Sequence, residues 1–388
     1  MSFSREMSSF RENNSPREMT YSAACLMGVE GLAARELREL GCRNVRAENG
    51  RVLFEGGWEI LARANINSRY AERVGILLGE FPAESFEELF QGVKALPWED
   101  FLGSGDAFPV TGSSLNSRLH SVPDCQAIIK KAVVERLKSR YHLSWFPEDG
   151  ALHRIRFRIL KDQVSILIDA SGAGLHKRGY RPASSAAPIK ETLGAALVNL
   201  MRLRSDGNFL DPFCGSGTLL IEAATAAMKI APGINRSFAA ESWENMDRLV
   251  WKRERERARD LERRDSGFHA AGYDIDPAAV ELTLENAHRA GVGGQVSASV
   301  RDIRRFQEEA PYGCVVCNPP YGQRLMDQRA SQELCREMGR VFLPRRGWSY
   351  GVITPEENFE RLFGRPADKR RKLYNGMIRC QFYQYYRC

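Results

Sequence analysis

The chain has 388 residues, 43% of them hydrophobic, which is enough for the packed cores of two or three domains. Its 56 Lys and Arg exceed its 49 Asp and Glu, and the resulting charge of +7 fits a polyanionic partner without requiring one. No apolar run approaches the ~20 residues of a membrane span, and the polar N-terminus lacks the apolar core of a secretory signal. We therefore expect a cytoplasmic protein with no membrane partner.

The nine cysteines are scattered along the chain without the spacing of a disulfide framework, which favours a reducing compartment. Cys314 and Cys317 form a lone CxxC, which could serve redox chemistry or bind a metal. Either role needs partner ligands, and there is no second CxxC or nearby His pair. Because both cysteines lie in an apolar run, the sequence favours buried structural cysteines and predicts no metal.

The N-terminal half is predicted to hold a disordered extension and two small α+β units. Residues 1–18 are polar and form the extension. The first unit, 19–70, contains these elements: strand Tyr21–Met27, helix Glu30–Leu40 and strand Arg51–Phe54. The second unit, 71–172, contains these: a strand starting at Phe108, helix Asp124–Lys138 and a hairpin from Arg154 to Ile168. The arginines of this hairpin are predicted on its open face, either solvated or in contact with phosphate.

From residue 173 onward, strands alternate with helices, which predicts a doubly wound, mostly parallel sheet. Asn375-Gly376 stands between two apolar runs and predicts a hairpin turn, so the sheet should end in an antiparallel pair. The densely charged segment between Arg248 and Arg264 is typical of a solvated helix, with an RNA-facing helix as the alternative. The fold class is therefore α/β with α+β units in front.

A glycine-rich turn joins a predicted strand, Phe209–Asp211, to a helix starting at Thr218. Gly215 and Gly217 allow a ligand to approach the backbone where a side chain would clash. The turn is not a phosphate-binding P-loop, because no Lys follows the second glycine, and the third glycine of the dinucleotide fingerprint is absent.

Three carboxylates follow three successive predicted strands: Asp211, Asp274 and Asp302. In such places a carboxylate can meet a cationic group, the ribose hydroxyls and the amino group of adenine. Each Asp alone could equally be a helix N-cap. Together with the glycine turn, they favour a pocket for a nucleoside without phosphates, such as S-adenosylmethionine.

The tetrapeptide Asn318-Pro319-Pro320-Tyr321 follows the apolar strand Val315–Cys317. The prolines remove two amide donors, so that carbonyl groups and the Asn318 amide oxygen remain as acceptors. Such acceptors can hold the hydrogens of an exocyclic base amine and direct its lone pair at a methyl sulfonium. Tyr321 offers a ring for stacking on an extruded base. The alternative is a simple turn with a hydrophobic tyrosine.

These motifs resemble the THUMP-domain-containing guanine-N2 RNA methyltransferases, which include bacterial large-subunit rRNA enzymes and related tRNA enzymes. The resemblance covers roughly residues 20–388 and extends to four further segments: Val110–Leu119, Leu175–Arg181, Ala187–Leu193 and Lys372–Gly376. It implies a ferredoxin-like domain at 19–70, a THUMP domain at 71–172 and a Rossmann-like methyltransferase domain at 173–388. One departure is the long segment 229–267, which puts Asp274 57 residues after Gly217, against the usual ~20.

The resemblance also implies roles for individual residues. Catalysis falls to Asn318, Pro319, Pro320 and Tyr321. S-adenosylmethionine is expected to contact the following residues: Thr192, Asp211, Phe213, Cys214, Gly215, Ser216, Gly217, Thr218, Asp274, Ile275, Asp302 and Asn318. The N-terminal units would grip a folded RNA by its backbone. Candidate phosphate contacts, with ordinary surface charge as the alternative, are Arg118, Lys130, Lys131, Lys177, Arg178 and Arg181.

The leading hypothesis is methylation of guanine N2 in 23S rRNA, with a tRNA guanosine as its nearest rival. A DNA adenine-N6 methyltransferase can also carry Asn-Pro-Pro-Tyr, but it would need a DNA-recognition domain in place of the THUMP-like segment. A non-catalytic RNA-binding or ribosome-assembly factor is a fourth hypothesis. The intact tetrapeptide and glycine turn disfavour it. The sequence does not predict an oligomeric state.

Overall fold

A computed structural model describes residues 18–181, 189–204, 206–306, 310–321 and 328–386. The predicted extension (apart from Glu18), Ala187 and Pro188 of the resemblance segment Ala187–Leu193, and Gly322 after the tetrapeptide lie outside these residues. Within them, the strands form two seven-stranded sheets, one from each half of the chain.

The N-terminal sheet has the strand order β2-β3-β1-β4-β7-β6-β5. Its elements are β1 Met19–Cys25, α1 Glu30–Glu39, β2 Arg43–Glu48, β3 Arg51–Gly56, α2 Trp58–Asn67, β4 Ala71–Pro82, α3 Phe86–Lys94, β5 Val110–Leu115, α4 Val122–Tyr141, β6 Ile155–Leu160 and β7 Gln163–Asp169. β4 pairs with β1 on one side and β7 on the other, so both predicted N-terminal units share one sheet. The predicted domain boundaries stay predictions.

The C-terminal sheet has the order β10-β9-β8-β11-β12-β14-β13, parallel except for β14, which runs antiparallel to β12 and β13. Its elements are α5 Glu191–Leu200, β8 Asn208–Asp211, α6 Thr218–Ala227, α7 Arg248–Asp260, β9 His269–Asp274, α8 Pro277–Arg289, β10 Val296–Val300, β11 Gly313–Cys317, α9 Gln328–Phe342, β12 Trp348–Thr354, α10 Phe359–Phe363, β13 Lys369–Asn375 and β14 Ile378–Tyr385. The doubly wound sheet and its closing hairpin agree with the prediction.

Four N-terminal elements were missed by the sequence patterns: β2, α2, β4 and α3. β4 is the instructive case. Its buried stretch Val74–Ile76 is continuous because the strand lies in the centre of the sheet, so the alternation of a half-buried strand is absent there.

The two halves meet along a polar seam, which we define as residues 58–70 together with the residues of the C-terminal half that contact them, among them Arg178. Arg63 of α2 donates two hydrogen bonds of 2.8 Å to Glu254 of α7. Arg69 donates to the carbonyls of Thr225 and Ile230 at 3.0 and 2.6 Å. These contacts hold the two sheets against each other through buried charge.

The charged segment 248–264 is neither fully solvated nor free to face RNA on all sides. α7 buries Trp251, Glu254 and Ala258 on one face, which packs against α2, while its other face is exposed. The prediction of a solvated helix therefore agrees with the exposed face and is wrong for the face that carries Trp251, Glu254 and Ala258. The reason is that Glu254 has a buried partner, Arg63, 191 residues away in sequence.

The cysteines are placed as predicted. All eight that the structure describes are buried and free. Burial raises the pKa of the Cys314 thiol to about 12 and that of Cys317 well above its ordinary value, so neither is a reactive thiolate. Among all the residues that the structure describes, no three metal-ligating side chains lie together. Every helix among them is too short or too polar to cross a bilayer.

Candidate active site

The site lies at the point in the C-terminal sheet where the strand order reverses, between β8 and β11. From β8 the chain builds outward through β9 and β10 on one side, whereas β11 and β12 lie on the other. In the β8–β11 pairing, Cys314 lies beside Phe209 and Val315 beside Leu210. The loops after these two parallel strands therefore emerge side by side, which is where ligands bind in open α/β sheets.

The loop after β8 makes a tight glycine turn into α6. Gly215 and Gly217 have φ angles of +53° and +81°, in the left-handed region that favours glycine. A Cβ on Gly217 would lie 3.0 Å from Thr283 Cγ2, whereas one on Gly215 would meet no atom within 4 Å. Gly217 is thus required by packing on α8, and Gly215 keeps space open above the loop.

Several predicted contact residues hold this loop in shape. The amide of Cys214 donates to the Tyr273 carbonyl at 2.9 Å, and that of Gly217 to the Cys214 carbonyl at 2.7 Å. Ser216 lies 3.5 Å from Thr218, hydroxyl to hydroxyl, at the start of α6. α8 anchors the loop from below, because Asn286 donates to the Ser216 carbonyl at 2.9 Å. The sequence patterns missed Thr283 and Asn286, which are helical residues without a motif.

Asp211 ends β8 with its side chain 2% exposed. One of its oxygens accepts the Phe213 amide at 3.1 Å. Burial, with a smaller contribution from the negative charge of Asp274, raises the pKa of the Asp211 carboxyl to about 8. A desolvated acid without a cationic partner among the described residues is suited to receive a cation.

Asp274 lies on the glycine turn despite the long segment before it. Its Oδ2 accepts the Gly215 amide at 3.0 Å, and its Oδ1 accepts the Asp276 amide at 3.1 Å. The segment 229–267 does not displace it, because α7 leaves the sheet to pack on α2 and the chain then returns as β9 beside β8. The spacing of 57 residues from Gly217 to Asp274 therefore does not keep Asp274 away from the glycine turn.

Beside Asp274 opens a cleft of about 470 Å³, lined by Ile275, Val300, Arg301, Asp302 and Arg305. Ile275 and Val300 are 73% and 55% exposed, so they offer apolar surface to a flat ring. Asp302 also caps the short helix that follows, since it accepts the Arg304 amide at 2.8 Å. The capping role and a ligand role are compatible, because a carboxylate has further lone pairs.

Asn318 directly follows β11, the strand that pairs with β8, so it lies at the same end of the sheet as the glycine turn. Its Oδ1 is buried and has no hydrogen-bond partner among the described residues. Pro319 is buried and Pro320 half-buried, and neither can donate an amide hydrogen back to the loop. A buried amide oxygen without a donor costs free energy, so this atom is positioned for a ligand's hydrogen.

Tyr321 is half-buried, and residues of the closing hairpin hold its hydroxyl in place. Asn375, the last residue of β13 in the closing hairpin, donates to its hydroxyl at 2.7 Å. The Cys380 thiol contacts the same oxygen at 3.8 Å. Burial raises the Tyr321 pKa above its ordinary value, so the hydroxyl stays protonated. The Asn-Gly signal predicted this hairpin but not its contact with the tetrapeptide.

Thr192 in α5 is fully buried, and its hydroxyl donates to Glu72 of β4. Lys190 also bonds Glu72, at 2.8 Å. Although burial alone would raise it, hydrogen bonds from His176, Lys190 and Thr192 bring the pKa of Glu72 down to about 2. The Thr192 hydroxyl thus serves the joint between the halves, and its contact with a cofactor stays a prediction.

Two of the six predicted phosphate contacts are not on an open surface. Arg178 is 7% exposed, 3.4 Å from Glu222, and donates to the Arg69 carbonyl at 2.7 Å. Arg181 pairs with Glu191 and lies 3.3 Å from the Thr218 hydroxyl. Arg178 is thus a seam residue, and Arg181 supports the start of α6. Both side chains are therefore engaged inside the fold, which disfavours a contact with phosphate, and that contact stays a prediction.

The other four predicted phosphate contacts differ in whether their side chains already have a partner within the fold. Lys131 and Lys177 are exposed. Arg118 is exposed but pairs with Glu84. Lys130 pairs with Glu148 and lies 3.6 Å from the centre of the Phe108 ring. The first two are therefore the better candidates for an external anion.

The arginines of the β6–β7 hairpin face the open side of the N-terminal sheet, but they are engaged within the fold. Arg156 donates to Asp169 at 2.9 Å, and Arg158 to the Asn49 carbonyl at 3.3 Å. Arg73 of β4 shares Asp169 at 2.7 Å. Their first role is thus to tie the strands of this sheet together.

Three family models match the chain in sequence order. They are the RlmL ferredoxin-like domain at residues 20–75, the THUMP domain at 83–169 and the RMKL-like methyltransferase domain at 178–384. The third spans more than half of the chain and contains the glycine turn, the three aspartates and the tetrapeptide.

Among curated proteins, the chain is 43% identical to "Putative RNA methyltransferase YpsC" of Bacillus subtilis, over 95% of this chain and 96% of that protein. It is 33% identical to the ribosomal RNA large subunit methyltransferase K/L of Psychromonas ingrahamii, over 95% of this chain but 50% of that longer protein.

Among solved structures, SMU.472, described as a methyltransferase complexed with SAH, is 42% identical with a TM-score of 0.91, covering 96% of this chain and 99% of that one. A protein from Listeria monocytogenes, described as a predicted N6-adenine-specific DNA methylase, is 46% identical with a TM-score of 0.90, covering 96% and 97%. The sheet order, the glycine turn and these matches together show that the chain belongs to the RMKL-like methyltransferase family, with a ferredoxin-like and a THUMP domain in front of the methyltransferase domain.

Proposed function

We propose that this protein is an S-adenosylmethionine-dependent RNA methyltransferase that methylates the exocyclic N2 of a guanosine in 23S rRNA. The observation that carries the proposal is the buried Oδ1 of Asn318, which has no hydrogen-bond partner among the described residues and follows the strand beside the one that leads into the glycine turn. An acceptor in that position can take a hydrogen from a base amine and orient the nitrogen for attack.

The residues of the cleft fit the methyl donor. Ile275 and Val300 would enclose the adenine, Asp302 would accept its amino group, and Asp274 would face the ribose hydroxyls. The open space above Gly215 suits a ligand lying close to the backbone. Asp211, with its raised pKa, would become ionised against the cationic methionine end. When bound, the cofactor supplies an electrophilic methyl group on a sulfonium sulfur.

The protein's own part in the reaction is mainly positioning. Asn318 Oδ1 and the Pro319 carbonyl are the acceptors that would hold the two amine hydrogens, which favours a pyramidal nitrogen with its lone pair directed outward. Tyr321, fixed by Asn375, would stack on the base. Because the amine becomes acidic once it gains the methyl, its proton can leave to water after transfer, and no strong general base is required.

RNA as the substrate is supported by the names of the two curated relatives and by the THUMP domain. The choice of 23S rRNA over tRNA follows the large-subunit rRNA relative, although this chain spans half of that protein. The neighbour described as a DNA adenine methylase makes adenine N6 of DNA the second candidate, since the same acceptor can hold an adenine amine.

A single experiment separates these candidates. The purified protein is incubated with radiolabelled S-adenosylmethionine and, in parallel, with large-subunit rRNA, tRNA and genomic DNA from cells lacking the gene. The labelled nucleic acid is digested and its nucleosides are identified by mass spectrometry. We expect N2-methylguanosine in the rRNA. N6-methyladenine in DNA, or no transfer to any substrate, would contradict the proposal.

A further inference from the structure

The tip of the closing hairpin carries an apolar pair that the fold leaves in solvent. Met377 is 97% exposed, more than any other large hydrophobic side chain among the described residues, and its neighbour Ile378 is 47% exposed. Met377 lies in the two-residue turn between Asn375 of β13 and Ile378 of β14, next to Gly376, which has a φ of +62°. A single exposed methionine is ordinary on a protein surface, so its meaning depends on what lies beside it.

The tip lies beside the tetrapeptide. Asn375 pairs with Ile378 in the β13–β14 register, and Leu373 pairs with Cys380. These four residues share one face of the hairpin, because side chains two apart in a strand point the same way. From that face Asn375 and Cys380 both reach the Tyr321 hydroxyl. Ile378 is therefore on the Tyr321 side, with Met377 just beyond it.

The charge of the hairpin suits a nucleic-acid backbone. The segment 369–386 contains no Asp or Glu and five basic residues, namely Lys369, Arg370, Arg371, Lys372 and Arg379. Two of them are partly engaged, since Arg370 pairs with Glu360 and Arg371 donates to the Gly28 carbonyl. Lys372 and Arg379 are exposed on the approach to the tip. An exposed apolar tip on a basic ribbon is complementary to a helix with charged phosphates outside and stacked bases inside.

A guanine in an RNA helix cannot place its amine against Asn318 while it remains stacked and paired. It must leave the helix, and the gap then has to be held open. We propose that Met377, supported by Ile378, is an apolar wedge that enters the RNA helix beside the target guanosine and occupies the gap while the base lies against Tyr321. This inference rests on the proposed function and assigns the hairpin tip the task of base extrusion.

The wedge makes a specific prediction about substrate structure. Met377→Ser should lower kcat/KM about tenfold on folded 23S rRNA from cells lacking the gene, the scale of one lost base-stacking contact. It should have little effect on a short single-stranded fragment that carries the same guanosine, because that base needs no extrusion. Met377→Leu keeps an apolar tip and should behave like the unaltered protein.

Controls keep the wedge and the proposed function separate. Leu249→Ala alters an exposed aliphatic residue of α7, 52% exposed, and should change neither rate. If the unaltered protein labels no RNA, the proposed function fails, and the wedge fails with it. If it labels RNA but Met377→Ser loses nothing on the folded substrate, or loses equally on the fragment, the wedge alone is overturned.

Discussion

The seam between the halves and the carboxyl ends of β8 and β11, which we call the sheet edge, both bury polar groups. They differ in whether these groups have partners among the described residues. At the seam, Arg63 meets Glu254, Arg178 meets Glu222, and Arg69 meets backbone carbonyls. At the sheet edge, the Asn318 amide oxygen has no partner among the described residues, and Asp211 faces no cation there.

This difference separates structure from function. A buried charge that has a partner stabilises the arrangement of the two halves, whereas a buried acceptor without one is a cost that a ligand can offset. Sequence motifs alone did not make the distinction, since Arg178 and Asn318 both belong to family segments. The comparison predicts that seam variants lose stability and that edge variants lose chemistry.

The largest effect should come from the seam. Arg178→Met leaves Glu222 buried without its cation, which should lower the free energy of unfolding by about 3–5 kcal/mol. The measurement is a urea titration followed by circular dichroism. Arg118→Met, which removes an exposed arginine, is the matched control and should change stability by less than ~0.5 kcal/mol. Equal effects of the two variants would mean that the Arg178 pair is not structural.

The catalytic edge should show the opposite pattern. Asn318→Ala removes the acceptor for the base amine, so kcat should fall about 10²–10³-fold. Stability should stay near that of the unaltered protein, because the Oδ1 accepts no hydrogen bond from the described residues, and cofactor affinity should fall far less than kcat. Single-turnover methylation, calorimetry and thermal unfolding measure the three quantities. Full activity would rule out the acceptor mechanism.

The edge should also make stability depend on pH. The folded chain holds the Asp211 proton to about pH 8, whereas the ordinary pKa is 3.8. The raised pKa favours the folded state below both values, and this contribution is lost as pH rises towards 8, by at most ~1.4 kcal/mol per pH unit.

The test is Asp211→Asn, which cannot titrate. The difference in thermal stability between this variant and the unaltered protein should shift in favour of the variant as the pH rises from 5 to 8. The variant should also bind S-adenosylhomocysteine more weakly. An identical pH profile in the two proteins would show that Asp211 is ionised without a ligand.

The glycine turn offers a sharper contrast within the edge itself. Gly215→Ala places a methyl group in open space, so it should weaken S-adenosylhomocysteine binding at least about tenfold, or ~1.4 kcal/mol, and it should lose only the roughly 1–2 kcal/mol of stability that left-handed backbone costs an alanine. Gly217→Ala pushes against Thr283 and should lower both affinity and melting temperature. Calorimetry and thermal unfolding distinguish them. Unchanged affinity in Gly215→Ala would place the ligand elsewhere.

The smallest effect concerns the surface. Lys131→Met should lower the slope of log K against log salt for RNA binding by about 0.7–0.9, the value for one phosphate contact. Lys130→Met is the control, because Lys130 already pairs with Glu148, and its slope should not change. Filter binding across a salt series gives both slopes. The same slope in both variants would make Lys131 an ordinary surface charge.

Local motifs of the site were predictable because their physics is local. The glycine turn needs left-handed backbone at Gly215 and Gly217. β11 ends at Cys317, shortly before Pro319 and Pro320, which lack the amide hydrogen for strand pairing in any surroundings. The Asn-Gly turn predicted β13 and β14 for the same reason. In contrast, Thr283 and Asn286 carry no such signal, since α8 brings them under the loop only when the sheet has formed.

The sequence by itself determined the family, the α/β class and the motifs that we propose to face the methyl donor and the base, because these depend on short segments with strong backbone preferences. Tertiary structure alone decided which charges are buried. Arg178 became a seam residue, α7 gained a packed face, and Asn375 reached Tyr321, because burial and pairing depend on which distant segment covers a side chain.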